Sequence, residues 1–259
     1  MCILFVAINQ HPQYPLIVAA NRDEFHQRAT QSAHIWQTTP SLLAGRDLHA
    51  GGTWLGINHL GQFSALTNIR SLPLAPAGLQ SRGQLVPKAL ASPSQVNQKW
   101  LTTHAQDYAP FNLLYQQHDD MFCFNSQSQQ TIKLTSGFHA ICNGDIFDKW
   151  PKMTQGEQAM EALVKQQRPL DPNAFFALLN DQSQAPDELL PNTGIGLEWE
   201  RMLSSIFILS PDYGTRSSAL ILKQPNQVID FYEQSYQPDG NIFNRQHFQL
   251  SDGHFNQLS

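Results

Sequence analysis

The chain has 259 residues, 41% hydrophobic and 14% charged, with a formal net charge of −5 at pH 7. That length and apolar content suffice for one large domain with a sizeable core, residues 1–259, and no linker divides it. The mild acidity, with no run of Lys or Arg, excludes a nucleic-acid backbone or an anionic membrane surface as main partner and leaves a small-molecule ligand as the expectation.

Residues 2–8 and 16–20 are short apolar, β-prone runs flanking a turn at 11–15, and they predict a hairpin with buried strands. The first run has no basic residues before it, spans only about seven positions and stops at Asn9-Gln10-His11-Pro12, so it predicts neither a signal peptide nor a membrane span. A second hairpin is expected from residues 53–58 and 62–68 around a turn at 59–61, with Gly51-Gly52 bending the chain into it. Helices follow: one from Ser81 to Leu90, and another capped by Ser92 or Ser94 with Val96, Trp100 and Leu101 on one face.

Strands are expected at 111–116, 121–125, 131–134 and 139–143. Thr154 precedes a helix to about Gln167, with Met160, Leu163 and Val164 spaced for burial. Arg168-Pro169 breaks it, and Asp171-Pro172 opens the next, through Phe175, Phe176, Leu178 and Leu179. Residues 181–191 read as a loop, 203–210, 215–223 and 227–233 as strands, and the polar tail from about 237 as peripheral. Strand-rich ends around a helix-rich middle favour an α+β, four-layer αββα sandwich over a parallel doubly wound sheet.

Three cysteines, Cys2, Cys123 and Cys142, are too few and too scattered for a disulfide framework or a zinc site; they predict a reducing, cytoplasmic setting. Cys2 stands out by position. Removal of Met1 puts a thiol and a free α-amine on one residue, and an amine with a pKa of about 7.7–8.0 can take the thiol proton near neutrality. A cysteine buried within a first strand is the plain alternative.

Met1-Cys2, Asn21-Arg22-Asp23-Glu24, Gly51-Gly52-Thr53-Trp54-Leu55-Gly56, Leu66-Thr67-Asn68, Ser81-Arg82-Gly83, Asn143, Leu197-Glu198-Trp199-Glu200-Arg201 and Tyr213-Gly214-Thr215-Arg216-Ser217-Ser218 come in this order. Together they resemble the NRDE family, also called the transport and Golgi organisation family, from residue 1 to about 235. The resemblance implies the N-terminal nucleophile hydrolase fold and kinship with bile salt hydrolases and penicillin V acylases. It casts Cys2 as nucleophile, assisted by Arg22, whose fixed charge favours a thiolate, and by Asp23, which can orient the amine. An ordinary loop ion pair would use the same two residues. Asn68 is placed as an oxyanion donor and Asn143 as a support of the nucleophile, although each could be a strand-ending Asn in a local turn. A further late arginine is expected, with both Arg201 and Arg216 as candidates.

The same resemblance implies intracellular haem trafficking as the family-level function, with haem as cargo. The rival is an N-terminal cysteine amidohydrolase cleaving a linear C–N amide or a thioester; a third possibility is binding of acyl-CoA or another lipid. The hydrolase chemistry requires no cofactor or metal. Ten histidines and five methionines include no CxxCH attachment and no recognisable pair, so no haem ligand is named.

Overall fold

In a computed structural model that describes residues 2–70, 76, 78–166 and 169–259, the first strand, β1 (Cys2–His11), is buried on both faces. Its alternation explains the unbroken apolar run. Cys2, Leu4 and Val6 face a second sheet, whereas Ile3, Phe5 and Ala7 face helices. Its partner β2 (Tyr14–Phe25) extends well past Ala20, so Asn21 to Glu24 continue the ladder instead of forming a loop.

The remaining strands are β3 (Thr30–Trp36), β4 (Leu42–Asp47), β5 (Leu55–Asn58), β6 (Phe63–Asn68), β7 (Phe111–Gln117), β8 (Asp120–Asn125), β9 (Gln130–Leu134), β10 (Gly137–Ile141), β11 (Tyr213–Lys223), β12 (Ile229–Tyr236), β13 (Ile242–Ser251) and β14 (His254–Gln257). Two seven-stranded antiparallel sheets result, ordered β10-β1-β2-β11-β12-β13-β14 and β3-β4-β5-β6-β7-β8-β9. Their facing sides share one apolar core. Helices α3 (Pro151–Val164) and α4 (Pro172–Leu179) cover the outer face of the first sheet, and α1 (Leu85–Ala91) covers the second. The fold is the expected four-layer αββα sandwich.

Several local expectations are corrected. The stretch after β2 carries two strands, β3 and β4, where no element was assigned. Helix α2 (Gln98–His104) is capped by the Asn97 side chain, which accepts from Trp100 N–H at 3.0 Å, and neither Ser92 nor Ser94 caps it. Helix α3 begins ahead of Thr154, because Pro151 occupies a first-turn position where its missing N–H is harmless. Gln167 and Arg168, the expected end and break of that helix, lie outside the described residues.

Of the expected strand 203–210, residues 203–208 are buried and Leu209 is exposed, and no strand forms. Their backbone is satisfied otherwise: Asn21 Nδ2 donates to the Ile206 carbonyl at 2.9 Å, Phe207 N–H to the Asp181 carbonyl at 2.7 Å and Ile208 N–H to the Thr215 hydroxyl at 2.9 Å. The tail is not merely peripheral, since β13 pairs with β12 and buries Phe248 and Leu250 in the inter-sheet core. Alternation hidden among polar outward residues accounts for the difference.

Candidate active site

The site forms where β1 and β2 begin and end. In the antiparallel register Cys2 lies opposite Arg22, so the two side chains project from the same face toward the second sheet. Cys2 is 6% exposed and Arg22 6% exposed. Both line a cleft of about 120 Å³, together with Asp23, Glu24, Asn68 and Arg82.

Asp23 is held from the neighbouring strand: the Thr215 hydroxyl donates to its Oδ1 at 2.8 Å. A bulge in β11 sets this contact, because Thr215 pairs with Asp23 and Ser217 with Arg22, leaving Arg216 without an opposite residue. Arg216 turns away from the cleft lining. Its Nη1 donates to the carbonyls of Phe25 at 3.1 Å and His26 at 2.9 Å, clamping the chain where it leaves β2.

Asn68 ends β6 and lines the cleft from the second sheet. Asn143 stands behind it and is absent from the lining: its Nδ2 donates to the Asn68 carbonyl at 2.9 Å, and its Oδ1 accepts from the Cys142 thiol at 3.2 Å. Asn143 thus braces the strand end that presents Asn68. Arg201, the other late-arginine candidate, lies on α5 (Leu197–Met202), where it pairs with Asp187 at 2.6 Å and with Glu198. It takes no part in the cleft. Trp54 lines the cleft, whereas Trp199 packs edge-on against Phe25 and Tyr213.

The sequence by itself gives Arg82 no role, although Ser81-Arg82-Gly83 is one of the segments that carry the family resemblance. It reaches the cleft through a close backbone crossing. A Cβ on Gly52 would lie 2.4 Å from the Gly83 carbonyl carbon, and Thr53 N–H donates to the Gly83 carbonyl at 2.9 Å. The absence of a side chain at Gly52 lets these segments, some thirty positions apart, meet, whereas a Cβ on Gly83 would make ordinary contact at 3.4 Å. Arg28 and Asp47 also line the cleft as a forked pair, with Nε and Nη2 donating to Asp47 Oδ2 at 3.0 and 2.6 Å. Glu24 sits between Arg22 and Arg28, at 3.9 and 3.7 Å.

Burial dominates the electrostatics. It pushes the Cys2 thiol up to about 11, raises the Asp23 carboxyl above its ordinary range and lowers the Arg82 guanidinium. A thiol so placed is protonated at neutral pH, and a base next to it is what the site needs for nucleophilic chemistry. Among the described residues no group of His, Cys, Asp and Glu could hold a metal ion, and no helix is long and apolar enough to cross a membrane.

The chain matches the family model described as Transport and Golgi organisation 2 over residues 1–238. It is similar to the Transport and Golgi organization protein 2 homolog of Bos taurus, at 32% identity over 91% of this chain and 93% of that one. The Homo sapiens homolog is 31% identical, with the same coverage. Among solved structures, similarity extends to the mutant C2A conjugated bile acid hydrolase from Clostridium perfringens, with 9% identity, a TM-score of 0.46 and coverage of 100% of this chain and 97% of that one. The expected likeness is therefore met along nearly the whole sequence, and the chain belongs to the Transport and Golgi organisation 2 family.

Proposed function

We propose that this protein is an N-terminal cysteine hydrolase acting on a linear amide C–N bond, or on a thioester, through an acyl-Cys2 intermediate. The observation that carries the reading is the placement of Cys2, Arg22, Asp23 and Asn68 around one small cleft with the sulfur on the first strand. The proposal includes removal of Met1, which frees the amine of Cys2 itself. The three free, buried cysteines suit a reducing, cytoplasmic setting.

In the reaction the amine takes the thiol proton as Sγ attacks the carbonyl carbon. The Asn68 amide and a backbone N–H meet the tetrahedral oxyanion; the C–N bond breaks as the ammonium returns the proton to the leaving nitrogen. Water then attacks the acyl-Cys2 thioester with the amine as base, and collapse releases the carboxylic acid and restores the thiol. Arg22 favours the thiolate and Asp23 orients the amine, and their burial limits screening by solvent.

The test begins with an intact mass to establish removal of Met1. Processed wild type and Cys2→Ala are then screened against linear amides and thioesters. Turnover by wild type and a loss of roughly a thousandfold or more in the variant are expected; equal turnover by both rejects the reading.

A second reading, haem binding for intracellular transport, is favoured by a larger cleft of about 510 Å³ at the far end of the sandwich, lined by Leu16, Met121, Leu134, Lys133 and Lys223. That volume falls in the range of small-molecule sites. Its check is titration of the apo-protein with haem. A Soret shift lost on Met121→Ala supports it, and an unshifted spectrum removes it. Acyl-CoA or lipid binding without turnover is the outcome in which the first screen shows affinity and no product.

A further inference from the structure

Four guanidinium groups, of Arg22, Arg28, Arg46 and Arg82, line the small cleft against three carboxylates, of Asp23, Glu24 and Asp47. Each carboxylate is already engaged. Asp47 takes the fork of Arg28, Asp23 accepts from Thr215, and Glu24 lies between Arg22 and Arg28 while its Oε1 accepts from Phe25 N–H at 3.0 Å. Arg46 sits at the exposed rim, 4.7 Å over the Trp36 ring.

The weakest anionic partnering lies at the Cys2 end, where Glu24 reaches Arg22 only at 3.9 Å. Arg22 is 94% buried by its 6% exposure, and its Nη1 has no hydrogen-bond partner among the described residues. Arg82 forms no ion pair among the described residues, and its Nη1 donates to the neutral Pro110 carbonyl at 3.0 Å. A guanidinium cannot shed its proton to escape burial, so two of them facing one cavity are relieved by an incoming anion. Arg22, directly across from Cys2 in the ladder, is matched to the thiolate. Arg82 arrives from the other side, and it is left for the substrate.

We propose that the cleft selects an amide or thioester bearing an anionic substituent near the scissile bond, a carboxylate, sulfonate or phosphate, and that Arg82 is the residue that binds it. The small volume, about 120 Å³, admits such a headgroup and leaves any longer chain outside. The fork of Arg82 suits two oxygens of one anion. The assignment rests on the hydrolase reading for its chemistry but not for its recognition, and the two can fail separately.

The experiment uses processed full-length protein and two matched pairs. N-butanoylglycine against N-butanoylglycinamide places the charge on the leaving side; succinanilic acid against butyranilide places it on the acyl side. Released amine gives kcat/KM, and the same four compounds are titrated calorimetrically into Cys2→Ala. The anionic member of at least one pair should be favoured by roughly tenfold or more, in turnover or in affinity. Arg82→Gln should bring that ratio to near unity, and Arg82→Lys, which keeps the charge, should retain part of it. The readout is a ratio within one protein sample, so a general loss of folded protein does not imitate it. Absence of turnover with an anion preference in binding that Arg82→Gln abolishes rejects hydrolysis and keeps the recognition. Equal values within both pairs, a preference that survives Arg82→Gln, or no binding of any of the four compounds overturns it.

Discussion

At the scale of single residues, the chemistry turns on one sulfur whose reactivity is set by what precedes it. Burial holds the Cys2 thiol at about 11. A chain kept blocked by an uncleavable N-terminal extension should therefore alkylate at Cys2 slowly at pH 7, with the rate rising about tenfold per pH unit up to at least pH 10. Peptide mapping after timed iodoacetamide exposure follows this; a plateau below pH 9 contradicts it. Cys2 was legible from its position and Arg22, Asp23 and Asn68 through the family resemblance, and they line one cleft. Arg201 was not separable from Arg216 by position alone. The structure commits one to a surface ion-pair cluster and the other to carbonyls at the end of β2. Arg82 was illegible as a site residue because its approach depends on a glycine-to-glycine crossing that no local pattern encodes.

At the scale of elements, period-two burial carries most of the information. The run from Cys2 reads as a strand covered on both faces, and it is one, with the consequence that its helix layer must approach closely. Gly156 of α3 provides that approach, since a Cβ there would fall 2.1 Å from the Phe5 ring, whose side chain is fully buried. Gly156→Ala gains the helix propensity of alanine, about 1 kcal/mol, but must displace the ring, which costs about 1–3 kcal/mol. A net change between about zero and a loss of about 2 kcal/mol in denaturant unfolding is expected, and a stabilised variant would mean that α3 does not seat as described. Residues 203–210 show where such reading stops. Their apolar pattern signals burial correctly as far as Ile208, but the hydrogen bonds that a strand would make go elsewhere. The Ile206 carbonyl accepts from the Asn21 side chain, nearly two hundred positions earlier, Phe207 N–H donates to the Asp181 carbonyl and Ile208 N–H to the Thr215 hydroxyl. Strands β13 and β14 escaped detection for the opposite reason, with core residues interleaved among polar ones.

At the scale of the whole molecule, stability depends on how the two sheets are joined around the site. Glu233 on β12 crosses the interface: its Oε1 accepts from Ala33 N–H on β3 at 2.6 Å. Burial pushes this carboxyl up to about 7 from an ordinary 4.5. A raised carboxyl pKa means that the folded state prefers the protonated form. Its contribution is fully present below about pH 4.5 and is lost as the pH rises through about 7. The shift corresponds to about 3 kcal/mol as an order of magnitude. Glu233→Gln keeps the acceptor for Ala33, and its amide can donate to the neighbouring Ser235 hydroxyl. The variant should match wild type at pH 4 and exceed it by up to about 3 kcal/mol at pH 8, measured by chemical denaturation at both values. The αββα layering itself was implied by the family resemblance, and strand-rich ends around a helical middle reached it only loosely, since four strands, β7 to β10, lie in that middle. Its pairing order was not legible, because β11 must insert beside β2 from far along the chain.

The central claim is that a processed Cys2 in this cleft forms a covalent bond to an acyl group. Intact mass spectrometry, quenched in acid shortly after mixing Met1-free protein with a simple butanoyl thioester, addresses it directly. One butanoyl group localised to Cys2, absent from the N-terminally blocked chain, is the predicted result; no adduct, or equal labelling of the blocked chain, contradicts the account.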